Sequence, residues 1–247
     1  VAIAHQTRYS PVLVHIEQLL AEKKIGRILE YQMHGKEDAR GGGEDLWVLG
    51  THIFELTQHL AGAPIWVQGY ASQNNKPVTS KHVRPGNEGI GMLAGDCVLS
   101  TYSFPEEVFA HFRSVRNGSG KPNRFGLTIL GTEGVIKMSF GYLPKAELLL
   151  DGSWSPGRTG KKWTPISSNG LGKVETLRDG GLHAGNILAI RDLIDAVEED
   201  RDPEASIYDA LTATEMIVGL FESHRQNGSR VAFPLVDRNN PLAKLKN

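Results

Sequence analysis

The chain has 247 residues, and its 27 lysines and arginines against 28 aspartates and glutamates leave a formal charge of −1. That balance excludes a general nucleic-acid binder and a polybasic membrane anchor, both of which need a cationic surplus. A single cysteine, Cys97, excludes an internal disulfide framework and a cysteine zinc cluster. No apolar run approaches the ~20 residues that span a bilayer, so no membrane partner is expected. A cytoplasmic protein is expected, although a start at Val1 leaves room for a removed export signal.

In chain order, Val1–His5 is a short β-branched and apolar run that predicts a buried strand. Ser10-Pro11 then places a capping hydroxyl before a proline at the first helical position. Ile16, Leu19 and Leu20 form the inner stripe of that helix, with Gly26 as its stop. Arg27–His34 alternates as a strand. After Gly41-Gly42-Gly43, the spacing of Leu49, Ile53, Leu56 and Leu60 predicts a second helix, ended by Gly62-Ala63-Pro64.

From Ile65 the pattern changes to strands: Ile65–Ala71, Asp96–Phe104, Val108–Arg116, Arg124–Leu130, Gly134–Met138 and Ala146–Leu150, with turn residues between them. Residues 151–182 are rich in Gly, Ser and Pro and read as an irregular connection. Two helices follow. The first has Ile187, Ile190, Ile194 and Val197 as its apolar stripe. The second opens on Ser206 with Asp209 three residues on, close to a capping box, and turns Ala210, Ala213, Ile217 and Leu220 inward. Asn227-Gly228 stops it and Arg230–Leu235 is a last strand. Helices at both ends of a run of meandering strands predict an α+β fold. The expected architecture is one mainly antiparallel open sheet with helices packed on one face, the other face available for oligomerisation.

Five stretches carry a resemblance. HQTRYSP at 5–11 is a strand-to-helix entry, and IGRI at 25–28 a step into the next strand. GGGEDLWVLGTHIFEL at 41–56 is a glycine-led helix, RFGLTILGTEGVIKM at 124–138 a hairpin, and ESHRQNGSRVAFPL at 222–235 a closing helix and strand. In this order they resemble the C-terminal domain of the glucose–fructose oxidoreductase / inositol dehydrogenase / MocA (Gfo/Idh/MocA) family, over nearly the whole chain.

The resemblance implies an enzyme in two parts. An N-terminal Rossmann domain holds NAD or NADP, and a C-terminal open sheet supplies the substrate pocket and subunit contacts. Members oxidise or reduce a hydroxyl or keto group on sugars and polyols. A dinucleotide site needs G-x-G-x-x-G between a strand and a helix. Here Gly89-Ile90-Gly91 has its next glycine at Gly95, one residue too far, and Gly41–Gly43 fails the spacing. The family's Glu-Lys-Pro lysine is missing too, since Glu22-Lys23-Lys24 lacks the proline. Residues 1–247 are therefore expected to form one substrate-binding and oligomerisation domain, with 1–10 the junction from an absent nucleotide-binding domain. The implied assembly is a homodimer or homotetramer through the open sheet face.

By the resemblance His52, in Gly50-Thr51-His52, is the catalytic residue that moves the substrate hydroxyl proton. Imidazole suits that task because its ordinary pKa of about 6.5 lies near working pH. Four residues earlier the family has an aspartate and this chain has Val48, which cannot accept a hydrogen bond from the imidazole. Glu44 and Asp45 either replace it or serve only as carboxylates at a helix N-terminus. Arg8 and Tyr9 resemble the family's residues at the pocket rim. Lys36, at a strand end, and His183 with Asn186, opening the third helix, are further candidates for substrate hydroxyls. The other readings are surface ion pairs for Arg8 and Lys36, core packing for Tyr9, and solvent for the pair on the third helix.

His52, Glu55 and His59 fall near one helix face, yet nothing in the sequence completes a metal site, and none is expected. The leading expectation is the substrate-binding and catalytic part of an NAD(P)-dependent oxidoreductase. A cofactor-free carbohydrate-binding and dimerisation module is the alternative. Lyase or hydrolase chemistry on a keto-sugar is a third, opened by Val48.

Overall fold

The computed structural model describes residues 1–87, 89–121 and 124–246. In α1 (Pro11–Ala21) the Ser10 hydroxyl accepts the Val12 amide at 3.1 Å, and Pro11 stands at the first position. One capping oxygen and one missing N–H thus remove two of the helix's unpaired donors. The helix buries Val12, Leu13, Ile16 and Leu19. It ends a turn before the expected stop at Gly26, because Lys23 takes a left-handed φ of 54°. Next come β1 (Ile28–His34) and helix α2, which opens at Gly43–Asp45, passes through a π turn at Leu46–Gly50 and continues as Thr51–Ala61. The strands that follow are β2 (Trp66–Gln73), β3 (Lys76–Pro77), β4 (Arg84–Pro85), β5 (Met92–Leu93), β6 (Cys97–Ser103), β7 (Phe109–Val115), β8 (Gly126–Gly131), β9 (Val135–Ser139) and β10 (Ala146–Leu149). Beyond them lie α3 (Pro156–Thr159), β11 (Thr164–Ser167), β12 (Gly170–Leu171), α4 (Gly181–Glu198), α5 (Ile207–Arg225) and β13 (Val231–Ala232). The fold is α+β, with a mostly antiparallel open sheet, as expected.

The chain divides into two compact units. The first comprises Val1–Tyr31 with Leu127–Ala210, the second Gln32–Gly126 with Leu211–Asn247. In the first, the strand order is β12-β11-β10-β9-β8 and then the start of β1. Leu130, Val135 and Leu149 pack together there, with Trp163 against them.

Three expectations fail in this unit. Val1–His5 is not a strand. Ala2 makes one bridge to Ser206, and Ile3 donates to the Ala205 carbonyl, but the partner chain then turns into α5 and no ladder can extend. Residues 151–182 are not wholly irregular, since β11 pairs with β10 in the register Ala146↔Ile166 and with β12 beyond it. Pairing with a distant strand, not local alternation, makes β11 extended. The Ile187, Ile190, Ile194 and Val197 stripe of α4 is more than half exposed, while Gly185, Ala189 and Ala196 are buried. Gln6 packs so closely on Gly185 that a β-carbon there would lie 2.5 Å from it, so only small residues fit that side.

In the second unit the end of β1 is followed by β7, β6, β2 and β13 in order, with β3 on β2. Alternation along β2, β6 and β7 turns Val67, Ala71, Val98, Tyr102, Ala110, Phe112 and Ser114 inward, all buried. Phe54 of α2 meets Tyr102 and Phe112 at ring-centroid distances of 5.4 and 4.9 Å, and the Tyr102 hydroxyl donates to the Met216 carbonyl of α5. In α5 the residues Ala213, Ile217 and Leu220 are fully buried, as their spacing predicts. Ser206 and Asp209 bond reciprocally, side chain to backbone, as in a capping box. The last strand is shorter than expected, because Pro234 has no N–H to give a ladder. The other face of these strands presents Trp66, Tyr70, Leu99 and Phe109, partly or largely exposed.

Phe54→Ala should empty the contact between α2 and this sheet and cost about 3–5 kcal/mol. Urea unfolding of the variant measures it.

Candidate active site

The helix that carries His52 is held by its first turn. Asp45 is fully buried, and its Oδ2 accepts the Ser114 hydroxyl of β7 at 2.6 Å and the Glu37 amide at 3.2 Å. The carboxylate reaches the loop that leaves β1 because Gly35 has no side chain; a β-carbon there would lie 2.2 Å from Oδ2. Burial pushes the Asp45 carboxyl above its ordinary range, while the Ser114 hydroxyl pulls the other way. Its neighbour Glu44 is buried too and accepts from Arg84 at 3.3 Å and Asn87 at 3.2 Å. Both carboxylates therefore point to protein partners.

The glycines ahead of this helix stand where a dinucleotide cradle would lie. A pyrophosphate needs open backbone N–H groups at a helix start. Here a β-carbon on Gly42 would lie 2.6 Å from the Gly95 carbonyl oxygen, and one on Gly43 2.0 Å from that of Ala94. Carbonyl oxygens fill the space and would repel phosphate. The Gly43 amide is already bonded to Gly95 and the Gly42 amide to Ser114. The turn does not fit that group.

His52 lies two residues beyond the π turn and is half-buried. Burial lowers its pKa, so the neutral imidazole is favoured at neutral pH. Val48, Leu49 and Thr51, also half-buried, stand nearby on the helix, with Trp47 in the same turn. A π turn adds a residue per turn and is frequent at functional sites. Among the described residues no three His, Cys, Asp or Glu side chains converge as a metal site. The cavity lined by Pro77, Val78, Thr79, His224 and Arg225 contains none of the candidate side chains.

Lys36 lies 3.2 Å from Asp38 and is part-exposed. Beside it stands a residue that sequence reasoning missed. Glu37 is fully buried, with a left-handed φ of 56°, and binds Arg113 and Arg124 at 2.7 Å each. Nothing in local pattern marks it, since its partners lie 76 and 87 residues away. Ser114 was missed for the same reason, as it read only as one residue of a strand.

The remaining candidates belong to the first unit. Arg8 donates to the Glu204 carbonyl at 2.6 Å and lies 3.5 Å from its carboxylate. The Tyr9 hydroxyl donates to Asp192 at 3.1 Å and accepts the Ala205 amide, and burial pushes its pKa up to about 12. Asn186 accepts from Gln6 at 2.9 Å, and His183 is exposed. The structure thus gathers Arg8, Tyr9 and Asn186 where the 3₁₀ turn Gln6–Tyr9 meets α4, and gathers Glu44, Asp45 and His52 on α2.

Asp45→Ala should leave the Ser114 hydroxyl and the Glu37 amide unpaired and cost about 2–4 kcal/mol. Asp45→Asn, which keeps an acceptor oxygen, should recover much of that in urea unfolding.

Comparison with known proteins places these features in a family. A sequence model described as "Oxidoreductase family, C-terminal alpha/beta domain" matches residues 17–233. Comparison with curated protein sequences finds no match. Among solved structures, levoglucosan dehydrogenase in complex with NADH and levoglucosan superposes with a TM-score of 0.69 at 19% identity, covering 95% of this chain and 66% of that one. An oxidoreductase domain protein from Kribbella flavida gives 0.66 at 19%, covering 93% and 64%. Aldose-aldose oxidoreductase from Caulobacter crescentus complexed with glycerol gives 0.67 at 13%, covering 94% and 64%. This chain thus spans about two thirds of their length, and at these identities they report the fold. With the family model spanning most of the sequence, the chain belongs to the Gfo/Idh/MocA oxidoreductase family, as its C-terminal α/β domain.

Proposed function

We propose that this chain is the substrate-binding and catalytic part of an NAD(P)-dependent oxidoreductase that acts on a hydroxyl or keto group of a sugar or polyol. The observation that carries the reading is His52, neutral by burial and half-open, on a helix anchored through Asp45 to β7 and to the loop that leaves β1. A neutral imidazole takes the proton of a substrate hydroxyl in the oxidising direction and returns it in the reducing one. The anchored first turn fixes where that imidazole stands, and so contributes orientation. Sugar ligands in the levoglucosan dehydrogenase complexes with levoglucosan and L-sorbose support the substrate class.

The NADH in those complexes supports a nicotinamide cofactor, either NAD or NADP. Because the glycine turn of α2 is filled, its pyrophosphate would not be held at that turn. Lys36, Arg8, Tyr9, His183 and Asn186 are likewise proposed contacts to substrate hydroxyls. Glu44 and Asp45 act on substrate only through the position of α2. The sheet face bearing Trp66, Tyr70, Leu99 and Phe109 is the proposed contact between copies, in a homodimer or homotetramer. No helix among the described residues is long and apolar enough to cross a membrane, and a cytoplasmic site of action is part of the proposal.

The filled glycine turn also favours a second reading, a carbohydrate-binding module that uses no cofactor. NADH titrated into the full-length protein separates the two, since saturable binding is expected of the oxidoreductase alone.

His52→Ala should lower kcat/KM about 10²–10⁴-fold with the melting temperature nearly kept. A loss below tenfold would remove the acid/base role. The wild-type kcat/KM in the oxidising direction should fall on an acid limb below pH 6.5, because burial lowers the imidazole pKa from 6.5. By the same linkage the unfolded chain binds this proton more readily than the folded one. Folding stability should therefore drop as pH falls through 6.5, and drop less in His52→Gln.

A further inference from the structure

The turn of α2 that precedes His52 holds a hydrogen-bond donor with no acceptor. Trp47 stands in the π turn with its residue half-buried, and its indole Nε1–H is shielded from water without a partner among the described residues. A shielded donor left unpaired loses its hydration and gains nothing in return. Buried indoles usually find an acceptor for this reason. The indole nitrogen only donates, so an acceptor oxygen is what would satisfy it.

The π turn places this donor. In a regular α-helix the residues that share a face with His52 stand three or four before it, which selects Leu49 and Val48. In a π turn each residue advances less about the axis, so Trp47 lies nearer the His52 side of the helix than it would in a regular α-helix. Val48 is apolar and offers no hydrogen bond. Trp47 also has no hydrogen bond to break when its ring turns toward a ligand. An amphipathic ring beside an imidazole suits a molecule with both C–H surface and hydroxyl oxygens.

Resting on the function proposed above, we infer that Trp47 is a substrate-binding residue. Its indole N–H donates to a hydroxyl or carbonyl oxygen of the sugar or polyol held beside His52. It cannot stand in for the absent aspartate as an acceptor for imidazole. It holds the substrate oxygen instead, so its loss should weaken binding more than turnover.

The test uses full-length ¹⁵N-labelled protein with L-sorbose and levoglucosan as probes. The indole N–H resonance missing from the Trp47→Phe spectrum is that of Trp47. It should move downfield on titration of whichever sugar binds. The Kd of that sugar should weaken about tenfold in Trp47→Phe, with kcat nearly kept, whereas His52→Ala loses kcat. Trp47→Tyr, which restores a donor, should recover part of the affinity and serves if the phenylalanine variant does not fold. An unmoved Trp47 resonance in a protein that binds sugar, or equal affinity in wild type and both variants, would overturn the inference and leave the proposed function standing. Wild-type protein that binds neither sugar would overturn the substrate reading and this inference with it.

Discussion

The second unit is organised around one buried carboxylate. Asp45 ties the first turn of α2 to Ser114 in the middle of the sheet and to the backbone that leaves β1. A carboxylate fully removed from water is costly unless donors meet it, and the surrounding chain is built to supply them. Gly35 leaves the space, Ser114 turns inward by strand alternation, and the Glu37 amide points back because Glu37 takes a left-handed conformation. Each of these depends on the others. That mutual dependence makes the start of α2 a fixed reference from which His52 is positioned two turns further on.

Glu37 extends the same arrangement outward. Its amide serves Asp45, while its own carboxylate receives Arg113, Arg124 and the Val115 amide. Two adjoining buried acids are thus kept apart in role. One is neutralised by two arginines, and the other relies on neutral donors and has its pKa raised by burial. The loop that follows β1 is thus held by hydrogen bonds rather than by an apolar core.

Most of the fold was legible because its signals are local. Ser10-Pro11 marked a helix start, and Ser206 with Asp209 marked another, because a capping oxygen meets an amide only two or three residues on. Alternation located β2 and β6 to β10 to within about two residues, since each has one side against a core. The errors lie where the partner is distant. β11 is a strand because β10 is beside it, although its composition reads as a loop. The apolar stripe of α4 looks inward from sequence, yet close packing against Gln6 admits only Gly185 and small neighbours. A helical period fixes which residues share a face; it does not say which face is covered.

The candidate site divides along the same line. The sequence by itself determined that a glycine-led helix carries His52 and that apolar Val48 stands one turn before it, because residue identity and spacing are written along one segment. Only tertiary structure decided that Glu44 and Asp45 are turned to protein partners, that Glu37 is buried between two arginines, and that a π turn precedes His52 in its helix. A carboxylate's role depends on which donors surround it. Apart from the Glu37 amide, those donors come from residues 40 to 87 positions away, a distance over which pattern along the chain carries no information.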